Sequence, residues 1–119
     1  MKVGRLLCAV VLAAAGAIGA AHAADTDGTW QVAGQGQSPR CPDYTMQLVA
    51  KGDGVTGTVG TVRVTFKMFG KIAPDGSFAG KSAGGTAKME GKFSGDTVTA
   101  DFIDDLCPAP RKGTGRKVQ

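Results

Sequence analysis

The chain has 119 residues and a formal net charge of +4. That length is enough for one small domain. The charge is too weak to indicate a nucleic-acid partner, and the chain lacks the run of about 20 strongly apolar residues that a stable membrane insertion requires.

The first 23 residues have the three parts of a secretory signal peptide. Lys2 and Arg5 provide a basic start, an apolar run follows over 6–21, and Ala21-His22-Ala23 is a small-x-small cleavage pattern. We therefore expect cleavage after Ala23, a single mature domain over 24–119, and a location in the periplasm or the extracellular medium.

Short runs of alternating apolar and polar residues, separated by Gly-rich turns, fill the rest of the chain, and no helical period occurs. Tight hairpin turns are indicated by Asp53-Gly54, Asp75-Gly76 and Gly95-Asp96. The predicted strands are 28–33, 43–51, 54–60, 61–73, 77–83, 86–94, 96–104 and 114–118.

Eight antiparallel strands joined by hairpins predict a small closed up-and-down β-barrel, with a two-sheet β-sandwich as the alternative. Closure removes the two exposed edges that a flat sheet would have. A barrel of this size either holds one small ligand or is filled by its own side chains, and the many large inward residues favour a filled core. The predicted inward residues are Trp30, Val32, Tyr44, Met46, Leu48, Val55, Val59, Val62, Val64, Phe66, Met68, Ile72, Phe78, Met89, Phe93, Val98 and Phe102.

Cleavage removes Cys8 and leaves Cys41 and Cys107, which predicts one disulfide in an exported domain. This bond would connect the region after the first strand to the region before the last, and so close the barrel. Since it spans most of the domain, we expect it to contribute about 4 kcal/mol to stability.

The segment around Cys107 is acidic before the cysteine and basic after it. The acidic residues are Asp101, Asp104 and Asp105, and the basic residues are Arg111, Lys112, Arg116 and Lys117. We interpret them as a solvated acidic turn that faces a solvated basic last strand.

The mature chain lacks the residues that most catalytic and metal sites need. Cleavage removes His22, the single histidine, and Glu90 is the single glutamate. Without histidine there is no Ser-His-Asp triad, Cys-His pair or imidazole metal site. We therefore predict a protein that is not an enzyme and that has no metal site and no cofactor.

One loop, over 34–43, departs from the strand pattern. It is polar and Gly-rich, and Pro39 and Pro42 stiffen it around Arg40 and Cys41. An exposed arginine on a rigid loop beside a disulfide is typical of substrate-like protease inhibitors, because preorganisation lowers the entropy cost of binding. The alternative is a surface crossover loop in which the cysteine is only a structural link.

Trp30, Tyr44 and Phe66 are the candidates for lining a ligand pocket in the barrel lumen. Trp30 and Tyr44 could direct a polar tip at a ligand, or could instead anchor the core. Arg63 and Arg116 are candidates for holding an anionic ligand, or are solvated strand residues.

Gly28-Thr29-Trp30 at the start of the first strand, followed by Val55-Thr56-Gly57-Thr58-Val59, resembles the opening of avidin-like barrels. It is also similar to calycin-type folds in general, including the small bacterial metalloprotease-inhibitor barrels. The resemblance implies an eight-stranded, up-and-down, secreted barrel. It does not carry a function, because biotin binders of that family use several tryptophans, whereas this chain has one, and the metalloprotease inhibitors pair cysteines close in sequence.

The functional expectation is an exported, non-catalytic binding module for a small apolar or amphipathic molecule in the barrel lumen or mouth. The first alternative is a protein-interaction or protease-inhibitor domain that acts through the 34–43 loop. The second is a structural envelope protein without a specific ligand.

Overall fold

The computed structural model describes residues 26–107 and 109–119, in which eight antiparallel strands form a closed barrel. The strands are β1 (Gly28–Gly34), β2 (Tyr44–Lys51), β3 (Gly54–Gly60), β4 (Thr65–Ile72), β5 (Ser77–Ser82), β6 (Lys88–Ser94), β7 (Thr97–Ile103) and β8 (Arg111–Lys117). Each strand pairs with its neighbours along the chain, and β1 also pairs with β8. The predicted up-and-down barrel is confirmed, rather than the sandwich; the predicted signal peptide lies outside the described residues.

The seam between β8 and β1 depends on glycine. Gly113 pairs with Gly34, and Gly115 pairs with Val32. A Cβ atom on Gly115 would collide with the carbonyl oxygen of Gln31. The missing side chain therefore lets the last strand approach the first closely enough to complete the hydrogen-bonded ring.

The barrel interior is filled mainly by apolar side chains, because alternate residues of every strand point inward. Two aromatic clusters occupy its two halves. Trp30 and Phe78 each pack on Phe93 with ring centroids 4.8 Å apart, whereas Tyr44 and Phe66 pack on Phe102 at 5.2 and 5.8 Å. Aromatic pairs at these distances stabilise a core beyond their buried area.

The predicted inward residues are buried except at four positions in and before β4. Phe66 and Ile72 are partly buried and pack against the core. Val64 is also only partly buried, and Val62 is 85% exposed, so its assignment to the inward face was wrong. The reason is that β4 begins at Thr65 and the preceding residues form a bend, in which Thr61 N donates to Val64 O at 2.9 Å.

The two ends of the barrel differ in their connections. The hairpin end carries the short turns after β2, β4 and β6, including one in which Asp75 Oδ1 accepts hydrogen bonds from Ser77 N and Ser77 Oγ. These bonds lower the pKa of the Asp75 carboxyl. The loop end carries the segments 35–43, 61–64, 83–87 and 104–110. Within the described residues, no helix is long and apolar enough to cross a membrane.

Candidate functional site at the loop end

The disulfide between Cys41 and Cys107 joins two tight reversals of the chain at the loop end. In the first, Cys41 N donates to Ser38 O at 2.9 Å. In the second, Cys107 N donates to Asp104 O at 3.2 Å and to Asp104 Oδ1 at 2.8 Å. The sulfur atoms are 2.06 Å apart, which confirms the predicted pairing. Because each cysteine is the last residue of its reversal, the bond holds the two tips on the same end of the barrel.

Pro39 and Arg40 are the central residues of the turn from Ser38 to Cys41. None of the described residues other than glycine has a positive φ. The turn is therefore type I, since type II would require a positive φ at Arg40. Arg40 is exposed, and within the described structure it makes no hydrogen bond or ion pair. Its guanidinium group is thus available for contact with another molecule.

Two arginines from other segments hold the 34–43 loop through its carbonyl oxygens. Arg63 Nη2 donates to Pro39 O at 3.2 Å, and Arg111 Nη1 donates to Pro42 O at 2.7 Å. Within the loop, Gly36 N donates to Asp43 Oδ1 at 2.7 Å. The turn that displays Arg40 is therefore fixed by hydrogen bonds on both sides as well as by the disulfide.

Arg111 is fully buried at the start of β8 and faces the buried carboxylate of Asp104. Its Nη2 atom lies 3.0 Å from Asp104 Oδ2, at an angle that is poor for a hydrogen bond, so the two groups are held together chiefly by charge. The guanidinium carbon also lies 4.9 Å from the centre of the Phe102 ring. A cation over an aromatic face is stabilised, which helps to offset the desolvation of Arg111.

This burial corrects the interpretation of the segment as a solvated acidic turn and a solvated basic strand. That description holds for Asp105, Lys112 and Arg116, which are exposed. Asp101, whose carboxylate lies 3.6 Å from Lys112 Nζ, and Lys117 are partly buried. The description is wrong for Asp104 and Arg111. The strand β8 also begins at Arg111, before the predicted start at Thr114. The alternation of the sequence did not indicate this earlier start, because the inward positions Arg111, Gly113 and Gly115 carry no apolar side chain.

Three reversals present exposed residues beside one another at the loop end. The bend before β4 exposes Val62 and Arg63, and the bend that ends at Cys107 exposes 44% of Leu106. The hydrogen bond from Arg63 to Pro39 places the first of these bends beside the Arg40 turn. We call the combined area the loop-tip surface; it consists of Pro39, Arg40, Val62, Arg63 and Leu106. It combines two guanidinium groups with exposed apolar side chains.

The structure separates the three candidate lumen residues, and the polar groups of Trp30 and Tyr44 have hydrogen-bond partners within the protein. Tyr44 and Phe66 belong to the aromatic cluster near the loop end, whereas Trp30 belongs to the cluster near the hairpin end. Trp30 Nε1 donates to Thr26 O at 2.9 Å, and the buried Tyr44 hydroxyl donates to Ala100 O at 3.0 Å. Burial raises the pKa of Tyr44 to about 12. In the described structure, these side chains are parts of the packed core.

The other candidates divide between the two barrel ends. Arg63 lies at the loop end, whereas Arg116 is exposed on β8 near the hairpin end and pairs in register with Gln31 and Thr97. The structure therefore does not bring these two arginines together around one anion. Among the described residues, no group of three or more His, Cys, Asp or Glu side chains could hold a metal ion.

Comparison with protein-family models, with curated proteins and with solved structures found no match to this chain. The resemblance to avidin-like and calycin-type barrels therefore remains a prediction. The architecture that it implies, eight antiparallel strands in an up-and-down barrel, is the one observed.

The sequence did not identify three parts of this site: Val62, Leu106 and the arginine-to-carbonyl contacts. Val62 was assigned to the core because it continues the alternation of β4, and Leu106 is a single apolar residue between charged and cysteine positions. The Gly-free segment 61–64 carried no turn signal that could have marked Val62 as exposed.

Proposed function

We propose that this chain is an exported, non-catalytic module that binds another protein through the loop-tip surface. The observation that carries the proposal is the exposed, unpaired Arg40 at the tip of a turn fixed by a disulfide and by two arginine-to-carbonyl hydrogen bonds. A group that is already held in place loses little conformational entropy on binding, so more of the contact energy contributes to affinity.

The chemistry of the loop-tip surface favours an acidic protein partner. Arg40 and Arg63 present planar guanidinium groups, which bind carboxylates in a bidentate manner and are common in the energetically important centres of interfaces. Pro39, Val62 and Leu106 add apolar contact area around them. A partner surface with carboxylates beside a shallow apolar patch would complement this arrangement.

Two features favour protein docking over the other binding functions. The large lumen-facing side chains Trp30 and Tyr44 are buried, and their polar groups have partners within the barrel, which does not favour a ligand in the lumen. Arg40 lies in a closed type I turn, whereas inhibitors that mimic a protease substrate present an extended segment that pairs like a β-strand.

We place the module outside the cytoplasm. The Cys41–Cys107 disulfide is compatible with an oxidising compartment. The signal-peptide pattern over residues 1–23 adds to this, with the proposed cut after Ala23 and a mature domain in the periplasm or the medium.

The test is affinity capture with the immobilised mature protein from the extracytoplasmic fraction of the cells that produce it. We expect Arg40→Glu to reduce the captured partner about ten-fold or more, because it places a carboxylate against an acidic surface. Arg116→Glu is the matched control, since it makes the same charge change at an exposed position near the other end of the barrel. Equal capture by the two variants, or the lack of any partner retained by the wild type, would refute the proposal.

A further inference from the structure

We propose that the outer wall of the barrel around Phe69 docks the protein onto an anionic phospholipid surface. Phe69 is 53% exposed and Val49 is 46% exposed, although both lie within regular strands. The register pairs Val49 with Thr56 and Thr56 with Phe69. The two apolar side chains therefore lie in one row across β2, β3 and β4 on the solvent side of the wall.

Five lysines surround this apolar centre, and we call the whole area the Phe69 face. Lys67 and Lys71 flank Phe69 on the same side of β4, because residues two apart share a face, and Lys81 is its direct partner on β5. Lys51 and Lys88 line the grooves on either side of the ring. The nearby acidic side chains are Glu90, which lines one groove, and Asp53, which lies 3.9 Å from Lys71 in an exposed pair.

The Phe69 ring stands between two open grooves in the wall. One, of about 300 Å³, lies toward β5 and β6, and the other, of about 400 Å³, lies toward β2 and β3. Phe69 and Gly70 line both grooves. Both sides of the aromatic ring are therefore accessible to an external surface.

Lys81 and Lys88 add a second, independent indication of an anionic partner. They are directly opposed in the register of β5 and β6, and both are exposed. Like charges at directly opposed positions destabilise a sheet. An anionic surface would relieve this repulsion, so the arrangement is favourable in the bound state and unfavourable in the free protein.

A lipid surface fits this face better than a protein partner does. The apolar centre is one aromatic ring and one valine, whereas a stable protein interface buries about 800 Å² on each partner. The cations of the face are lysines, which act as flexible point charges and do not need the fixed geometry that bidentate arginines favour. Aromatic residues and lysines are also the usual contacts of proteins that lie on an anionic membrane.

This docking is compatible with the proposed function, because the Phe69 face lies on the barrel wall and the loop-tip surface lies at the barrel end. A protein that rests on a membrane through its wall would keep Arg40 free for a protein partner. The contact is at the level of the lipid headgroups and does not require any part of the chain to span the bilayer.

The test is co-sedimentation of the mature protein with phosphatidylglycerol-containing vesicles and with neutral phosphatidylcholine vesicles at low ionic strength. We expect binding only to the anionic vesicles, and release by high salt. Lys81→Glu should weaken binding about ten-fold, because it removes one cation and adds an anion, and Phe69→Ser should weaken it several-fold. Arg116→Glu, which makes the same charge change on another part of the wall, should retain most of the binding.

The proposal would be overturned by no sedimentation with anionic vesicles, by equal sedimentation with neutral vesicles, or by equal losses for Lys81→Glu and Arg116→Glu. Saturable binding of dissolved short-chain phosphatidylglycerol, without any preference for vesicles, would also overturn it, because the grooves would then hold single lipid molecules. Lys81→Glu replaces a repulsive pair with an attractive one, so its loss of binding cannot be attributed to unfolding.

Discussion

Replacement of Arg111 by methionine should destabilise the barrel strongly, although Arg111 was expected to be a surface residue. The guanidinium group is fully buried, contacts Asp104 at 3.0 Å and donates to Pro42 O at 2.7 Å. Arg111→Met leaves the Asp104 carboxylate buried without its counter-ion. The removal of one partner from a buried ion pair costs about 3–5 kcal/mol, which is a large part of the 5–15 kcal/mol that stabilises a typical domain.

The assay is urea unfolding followed by the fluorescence of Trp30, which is the only tryptophan and is fully buried. With an m value of about 1.5 kcal/mol/M, the midpoint of Arg111→Met should fall by about 2–3 M. The double variant Arg111→Met/Asp104→Asn removes both charges, and an asparagine oxygen can still accept from Cys107 N. We therefore expect the double variant to be more stable than the sum of the single effects indicates, by about 1–3 kcal/mol. A single variant within about 0.5 kcal/mol of the wild type, or strictly additive effects, would refute this account of the pair.

Three further predictions concern individual groups. Tyr44 is the only tyrosine, so phenolate absorbance should show ionisation near its pKa of about 12 in the folded protein and near 10 in urea. Because folding raises this pKa, the Tyr44 contribution to stability is complete below pH 10 and is lost as the pH rises through 12; titration near 10 in the folded protein would contradict its burial. Cys41→Ser should lower the melting temperature by ten degrees or more, for a loss of about 4 kcal/mol, and an unchanged melting temperature would show that the bond is absent. Lys81→Glu should raise the free energy of unfolding by up to about 1 kcal/mol at low salt, because it faces Lys88; a decrease would contradict the observed register.

The barrel could be predicted from the sequence because its signals are local. Inward residues such as Met46 and Leu48 alternate with polar ones, and Asp75-Gly76 and Gly95-Asp96 mark turns whose geometry requires those residue types. A run of short alternating strands with tight turns has few ways to bury its apolar face, and closure is one that leaves no edge. The pairing of Cys41 with Cys107 could be predicted because these are the two cysteines that remain after the predicted cleavage.

The loop end could not be predicted in detail because it depends on contacts between distant segments. Asp104 and Arg111 are charged residues that the sequence alone would assign to the surface, and their burial involves contacts distant in sequence, such as the one between Arg111 and Pro42 O. Val62 matches the alternation of β4 but belongs to the preceding bend. Phe69 lies between Lys67 and Lys71 on the polar face of the same alternation. An apolar residue at a polar-face position is the feature of the sequence that could have indicated the exposed Phe69 face.

Site-specific photo-crosslinking in the producing cells is the most direct test of the loop-tip surface as a protein-binding site. A photoreactive residue is placed at position 40 or 62 at the loop end, and at position 75 or 96 at the hairpin end as controls. All four positions are exposed. Of the four side chains, Asp75 alone makes hydrogen bonds in the described structure, and these lie within its own turn, so we expect each substitution to leave the barrel intact. We expect a discrete protein adduct from positions 40 and 62 and none from positions 75 and 96. Adducts from the hairpin end alone, equal adducts from both ends, or none from positions 40 and 62 would contradict the proposed function.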